Sequence, residues 1–160
     1  MIRKSNHSRA GLLAAISHAV QAFQDATDEV DEAAAARLRV NRTDLRCLGV
    51  LAQSGAMSAS ALADAAGLTR GAMTTALDRL EAAGWVRRLW DQEDRRTVRI
   101  EITPSAHQEL EDLYGALARQ GTRLLQGFSS RDLGAVLRYL EDGRELQRRH
   151  ARHIRRGRER

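Results

Sequence analysis

The chain has few of the residues that cross-link a fold or place it in a membrane. Among its 160 residues there is one cysteine, Cys47, and one proline, Pro104. A single cysteine cannot form an intramolecular disulfide, which favours a reducing compartment, and we expect a cytoplasmic protein. No apolar run approaches the ~18 residues of a membrane-spanning helix, and no continuous apolar stretch follows Arg3 and Lys4. The sequence therefore predicts no membrane span and no secretion signal.

Catalytic motifs are missing as well. The sequence contains no P-loop, no GxGxxG pattern, no HExxH motif and no nucleophile elbow. The five histidines are dispersed, without an evident Cys/His or Ser/His pair. His150 and His153 are three residues apart, but only Glu145 and Glu159 accompany them, so a metal site is not expected. We expect a protein that is not an enzyme and that binds no metal and no cofactor.

Positive charge is concentrated at one end of the chain. Residues 144–160 carry eight arginines and two glutamates, a net charge of +6, against a total of +5, so the rest stands at −1. The total charge therefore does not by itself indicate a nucleic-acid-binding core. We interpret the tail from Arg144 to Arg160 as a solvated helix end. A disordered basic arm with non-specific DNA affinity and a dimer-stabilising extension are the alternatives.

Hydrophobic spacing predicts that most of the chain is helical. A long amphipathic helix is predicted over 9–38, where apolar residues recur every three or four positions. These residues are Leu12, Leu13, Ile16, Val20 and Phe23. The next helix begins after Asn41 or Thr43, either of which can cap it, and has Asp44 in its first turn. Its apolar face comprises Leu45, Leu48, Leu51 and Ala52.

Two further helices and a pair of strands come next. The sequence predicts a short helix over 57–66 and a longer one over 69–83, which Thr69 can cap. Apolar and polar residues then alternate with a period of two over 98–102, as in a half-buried strand, and 85–90 is also β-prone. The two strands flank a wholly polar hairpin loop.

The last two helices complete a mainly α fold with a small β-wing. Thr103 can cap the first of them, with Pro104 in its first position, and Ser129 or Ser130 can cap the second. Their apolar residues are Leu110, Leu113, Leu117, Leu124, Leu125, Leu133, Val136, Leu137 and Leu140. The predicted order is α-α-α-α-β-β-α-α.

The helices at 58–66 and 69–83 carry the functional prediction. A turn of about three residues joins them, and the small residues Ala63 and Gly67 permit the close, steep crossing of a helix-turn-helix. A strand pair with a charged tip follows, which is the arrangement of a winged helix-turn-helix. In such a unit the second helix enters the major groove of DNA, which is ~12 Å wide.

Short polar side chains at the start of the second helix suit that role. Hydroxyl groups can bond base edges or phosphates, Gly71 permits close backbone approach, and Arg79 would lie near the DNA backbone. The residues predicted to contact DNA are Ser58, Thr69, Arg70, Gly71, Thr74, Thr75 and Arg79, together with Asp94, Arg95 and Arg96 in the hairpin loop. The alternative is an ordinary amphipathic helix with a polar outer face. For the loop there are two readings. It is a solvated turn that lies away from DNA, or Asp91 and Asp94 hold the arginines in one rotamer for the minor groove.

Three motifs in this region resemble the MarR family of bacterial transcriptional regulators. They are LTRGAMT (68–74), LDRLEAAGWVRR (77–88) and DQEDRR (91–96), and NRTDLRCL (41–48) also looks like the start of that family's second helix. The resemblance covers roughly 41–103. The chain departs from the family at Trp90, where a polar residue is common, and at Gln92, where proline is common.

The resemblance implies a homodimeric regulator, with repression as the commoner mode. A helical dimerisation region would comprise 1–40 and 104–160, and 41–103 would form the DNA-binding domain. Helix 69–83 would enter the major groove and Arg95 the minor groove, oriented by Asp94. Two-fold symmetry then predicts a palindromic operator with half-sites about 10 bp apart. The apolar helix faces outside the winged unit support a dimer independently, because monomers rarely expose large apolar patches.

The resemblance also implies a small, aromatic or anionic effector that weakens DNA binding. Candidate contacts are His18, Gln21 and Arg46, although each is more commonly an ordinary exposed side chain. Cys47 offers an alternative, a regulator that senses oxidants, but a buried free cysteine is usually inert. A winged-helix module that binds only proteins is a third possibility, against which the arginine pair of the loop argues.

Overall fold

The computed structural model describes residues 8–90 and 98–157, and these form six helices and three short strands. Their bounds are α1 (Arg9–Leu38), α2 (Arg42–Ser54), β1 (Met57–Ser58), α3 (Ala59–Ala66), α4 (Arg70–Ala82), β2 (Val86–Trp90), β3 (Val98–Ile102), α5 (Pro104–Leu125) and α6 (Ser130–Gly157). The predicted mainly α fold with a small β-wing is confirmed. None of the described helices is long and apolar enough to cross a membrane.

The helix starts confirm the capping predictions and decide between their alternatives. Asn41, rather than Thr43, caps α2: its Oδ1 accepts a hydrogen bond from the Asp44 backbone N–H at 2.9 Å. Ser129 caps α6 in the same way, with its hydroxyl 3.2 Å from a backbone N–H in the first turn. Each cap satisfies an N–H that has no partner within the helix.

One element, β1, was not predicted from the sequence. Met57 and Ser58, expected to begin a helix, are extended and pair antiparallel with Ile100 and Arg99 of β3. The sheet order is therefore β1-β3-β2. A two-residue strand is too short to show a hydrophobic period, and its formation depends on the free edge of β3, which lies some 40 residues away in the chain.

The chain divides into two compact units, one ending at Leu110 and the other beginning at Glu111. The core of the first unit is built from α2, α3, α4 and the sheet. Its largest fully buried side chains are Leu48, Leu51, Leu62, Met73, Leu80, Ile100 and Cys47. The end of α1 adds Ala34, Ala35 and Leu38. The prediction that Ala52 belongs to the apolar face of α2 was wrong: the buried stripe is centred on Leu48 and Leu51, and Ala52 is exposed in the last turn.

Several predicted apolar helix faces are exposed in the single chain. On α1, Leu12, Leu13, Ile16 and Phe23 have exposed fractions of 40–70%. In the second unit the exposed apolar residues lie along both helices: Leu117, Leu124, Leu125, Val136, Leu137, Tyr139, Leu140, Leu146 and Ile154. Such extended apolar surfaces are unusual on a monomer.

Candidate nucleic-acid interface

The α3–turn–α4 segment has the predicted helix-turn-helix connection. Gly67 ends α3 in the left-handed conformation at φ 67°, which favours glycine. The backbone N–H of Leu68 then bonds the Ala63 carbonyl at 2.8 Å, and Thr69 begins α4 by accepting from Ala72 N–H at 3.3 Å. The two helices are therefore joined by three residues.

The first two turns of α4 present a polar, exposed surface. Arg70, Gly71, Thr74 and Thr75 are all exposed. The Thr74 and Thr75 hydroxyls donate to carbonyl oxygens one turn earlier, each at 3.1 Å. The hydrogen of each hydroxyl is thus directed at its own helix, and the oxygen lone pairs remain to accept from a base or another donor. A Cβ at Gly71 would meet nothing within 4 Å, so packing within the protein does not require glycine at this position.

The acidic residues of α4 are paired with an arginine of β2. Arg88 Nη2 donates to Asp78 Oδ1 at 2.8 Å, and Nη1 donates to Glu81. The hydrogen bond to Asp78, with the negative charge of both carboxylates, raises the pKa of Arg88 above its ordinary value. This cluster joins β2 to α4 and reduces the negative charge on a helix that is predicted to approach DNA. The sequence did not predict it, because the residues are brought together by the turn between α4 and β2.

A second arginine, Arg79 of α4 itself, is held by a buried carboxylate of α2. Its Nε and Nη2 donate to Asp44 Oδ2 and Oδ1 at 3.0 and 2.6 Å. Asp44 is only 3% exposed, whereas the Arg79 side chain is 46% exposed. Asn41 Nδ2 donates to the same carboxylate at 3.0 Å. The hydrogen bond with Asp44 raises the pKa of Arg79 above its ordinary value.

An open cleft of about 550 Å³ lies between the start of α2 and this flank of α4. It is lined by Asn41, Arg42, Thr43, Leu68, Ala72, Thr75 and Arg79. Arg42, at one side of the cleft, forms an ion pair with Asp28 of α1 in which both side chains are exposed. Two arginines of the described structure, Arg42 and Arg79, therefore border the cleft beside α4.

For the wing, the structure describes only the two strands at its base, β2 and β3. The β2 and β3 strands pair from Val86↔Ile102 to Trp90↔Val98. The Trp90 side chain, at the end of β2, is 67% exposed. The predicted minor-groove contacts Asp94, Arg95 and Arg96 lie outside the described residues, and their roles stay predictions.

The candidate effector contacts are all exposed. Gln21 Nε2 donates to Asp25 at 2.9 Å within α1, and His18 lies on the same helix. Arg46 lies one turn into α2. Among the hydrogen bonds and ion pairs that the structure records for residues 8–90, none joins His18 or Gln21 to Arg46. Their role as a binding site stays a prediction.

Cys47 is fully buried, and burial raises the pKa of its thiol. His150 and His153 stack on α6 with ring centroids 6.4 Å apart. Within residues 8–90 and 98–157, no cluster of three His, Cys, Asp or Glu side chains is placed to hold a metal ion.

The fold and this surface together define a winged helix-turn-helix protein. A family model described as MarR family matches residues 40–98. An uncharacterized HTH-type transcriptional regulator of Bacillus subtilis (strain 168), YcgE, is 32% identical over 109 residues, which are 68% of this chain and 71% of the relative. The chain belongs to the MarR family, whose members are DNA-binding transcriptional regulators and not enzymes.

Solved structures share the fold. A MarR family protein from Bacillus stearothermophilus aligns with a TM-score of 0.64 at 17% identity, over 88% of this chain and 99% of that one. NadR, crystallised in complex with 4-hydroxyphenylacetate, aligns with a TM-score of 0.61 at 20% identity, over 89% of this chain and 96% of its own. At these identities the likeness concerns the fold alone.

Proposed function

We propose that the protein is a homodimeric repressor that binds a palindromic operator and is released by a small aromatic or anionic effector. The observation that supports DNA binding most strongly is the exposed polar surface of α4, where Arg70, Gly71, Thr74 and Thr75 lie together. This surface begins at the positive end of the helix dipole, which favours phosphate. The neighbouring acids, Asp78 and Glu81, are paired with Arg88.

In this proposal the contacts divide into base and backbone contacts. Arg70, Thr74 and Thr75 face base edges in the major groove, and Gly71 allows the helix to approach them closely. Ser58 and Thr69, at the starts of their helices, and Arg79, on the flank of α4, face phosphates. Arg95 enters the minor groove, oriented by Asp94, and Arg96 beside it also faces that groove.

The dimer is proposed from the exposed apolar surfaces. Residues 1–40 and 104–160 would form the dimerisation region and 41–103 the DNA-binding domain. Leu13 and Phe23 of α1 have exposed fractions of 56% and 70%, and Leu124 of α5 reaches 76%. Covering such surfaces with a second copy removes apolar area from water and gives the two recognition helices the symmetry of a palindrome.

The effector is proposed from the family and from NadR, whose structure contains an aromatic carboxylate. His18, Gln21 and Arg46 are its proposed contacts. A coupling of about 1–3 kcal/mol between effector and DNA would lower DNA affinity 5–150-fold. Cys47 is less suited to be the sensor, because its buried thiol is inaccessible and has a raised pKa.

Selection from a random duplex library tests this function and finds the operator sequence in the same experiment. We expect the protein to enrich an inverted repeat with half-sites about 10 bp apart. Failure to enrich any sequence would contradict specific DNA binding, and enrichment of a single, unrepeated site would contradict the symmetric dimer. Titration of the selected duplex with the protein and 4-hydroxyphenylacetate, against acetate as control, then measures any loss of affinity.

A further inference from the structure

Asp44 is the one buried charged residue of the described structure, and its partner lies on the helix proposed to contact DNA. Its carboxylate accepts three recorded hydrogen bonds, two from Arg79 and one from Asn41. Asp44 and Arg79 are 35 residues apart in the chain and join α2 to α4. A buried carboxylate without its partner would be costly, so this pair is expected to be kept at all times in the folded protein.

The pair uses only part of the arginine. A guanidinium has five N–H groups in a rigid plane, and Asp44 takes one from Nε and one from Nη2. Of the other three, one N–H of Nη1 and the second N–H of Nη2 form the adjacent outer edge of the guanidinium, and the last is on Nη1. The Arg79 side chain is 46% exposed and lines the cleft together with Thr75, so it lies beside the surface of α4 that is proposed to contact DNA.

We propose that Asp44 is a positioning residue for DNA binding, which holds Arg79 on the flank of α4 so that the outer edge of its guanidinium meets an operator phosphate. This inference rests on the proposed DNA-binding function. A free arginine side chain would have to be ordered when DNA binds, whereas Arg79 is already fixed by a planar, two-point contact. The same contact holds α4 against α2 beside the cleft.

The direction in which Asp44→Asn changes DNA affinity shows whether Asp44 acts by positioning Arg79 or only through its negative charge. Removing a negative charge close to DNA should strengthen binding if only net charge matters. The introduced side-chain amide turns a donor toward Arg79 or Asn41, so the two-point contact is lost. We therefore expect Asp44→Asn to weaken binding about tenfold, although the protein becomes more positive.

Fluorescence anisotropy with the duplex selected from the random library, and with a scrambled duplex, measures this effect at several salt concentrations. A lost phosphate contact weakens binding to both duplexes by the same factor and makes the plot of log K against log salt shallower, by about two for a dimer. A merely structural role for Asp44 would lower thermal stability and leave these slopes unchanged. Asp28→Asn is the matched control, since it removes the same charge from an exposed pair with Arg42, and should change affinity less than about twofold.

Arg79→Lys provides the second variant if Asp44→Asn fails to fold. It keeps the charge and a partner for Asp44, but lysine has no planar edge to offer a phosphate while it is paired. We expect the same loss of affinity and slope as for Asp44→Asn. Three outcomes would overturn this inference and leave the proposed DNA-binding function intact. They are wild-type affinity in Arg79→Lys, unchanged or stronger binding in folded Asp44→Asn, and a loss of affinity confined to the selected duplex. Failure of the unsubstituted protein to select any duplex would overturn the proposed function, and this inference with it.

Discussion

At the scale of single residues, the structure gives the hydroxyls of α4 a defined direction. Thr74 and Thr75 each donate to their own helix, so in the free protein they present acceptor lone pairs to the solvent. In the major groove such an acceptor matches the amino group of adenine or cytosine. The two threonines were predicted from the sequence as DNA contacts, but their hydrogen-bonding direction required the backbone.

We expect Thr74→Ala to weaken binding to the selected duplex roughly 30-fold, from about 1 kcal/mol for one lost hydrogen bond in each of two subunits. The scrambled duplex should be affected much less, because the lost contact is to a base. Thr27→Ala is a control of the same kind, since Thr27 also donates to a helix carbonyl, at 2.9 Å, but lies on α1. Equal binding by wild type and Thr74→Ala would remove Thr74 from the interface.

Cys47 leads to a prediction about oxidants. Its thiol is fully buried, and burial raises its pKa, so less thiolate exists at about pH 8 than for a free cysteine. Labelling by a disulfide reagent at about pH 8 should therefore be at least ~100-fold slower in the native protein than in urea. Peroxide treatment should leave DNA binding unchanged. Rapid native labelling, together with peroxide-sensitive binding, would support a redox-sensing regulator instead.

At the scale of elements, helix-capping residues and hydrophobic periodicity predicted the helices well. These local signals did not predict the tertiary contacts. Apolar spacing predicted the first half of α1, and the starts of α2 and α4 follow from Asn41 and Thr69. The β1 strand and the Asp44–Arg79 pair depend on segments far apart in the chain, which one sequence does not bring together. The carboxylate partners of Arg79 and Arg88 were therefore identified only from the structure.

The ion-pair cluster between β2 and α4 should matter for DNA binding more than for stability. The Arg88 side chain is 34% exposed, and its partners Glu81 and Asp78 are 37% and 61% exposed. Pairs that solvent reaches to this extent contribute about 1 kcal/mol to folding, so we expect Arg88→Ala to lower the melting temperature by only a few degrees. It would leave Asp78 and Glu81 unpaired on α4, where they repel phosphates. DNA affinity should fall about tenfold at low salt and less at high salt.

The matched control for Arg88→Ala restores the charge balance. Adding Asp78→Asn and Glu81→Gln to that variant removes both unpaired carboxylates, and we expect it to recover most of the lost affinity. An affinity for DNA in Arg88→Ala that equals the wild-type value at low salt would show that these acids lie away from the phosphates.

At the scale of the whole molecule, the exposed apolar surfaces are the basis of the proposed dimer. Leu137 and Leu140 of α6 are each 57% exposed, on a helix whose opposite side is polar. The apolar faces were predicted from sequence, but a single chain does not identify what covers them. The proposed partner is a second copy of the chain.

Introducing a charge into that surface tests the dimer. We expect Leu140→Glu to shift the protein from dimer to monomer in sedimentation at micromolar concentration, and to abolish binding to a two-half-site duplex. Arg138→Glu places a glutamate on the polar, exposed side of α6, about 160° around the helix from Leu140, and should remain dimeric. A wild-type protein that sediments as a monomer would contradict the proposed dimer.

The central claim is that α4 and the wing recognise a specific DNA sequence. Its most direct test is an anisotropy titration of the wild-type protein against the selected duplex, with the scrambled duplex as competitor, at two salt concentrations. We predict a preference of about 10³-fold or more for the selected duplex, and affinity that falls steeply with salt. Equal, weak binding to both duplexes would contradict the claim and leave the arginine-rich end of α6 as the source of any DNA affinity.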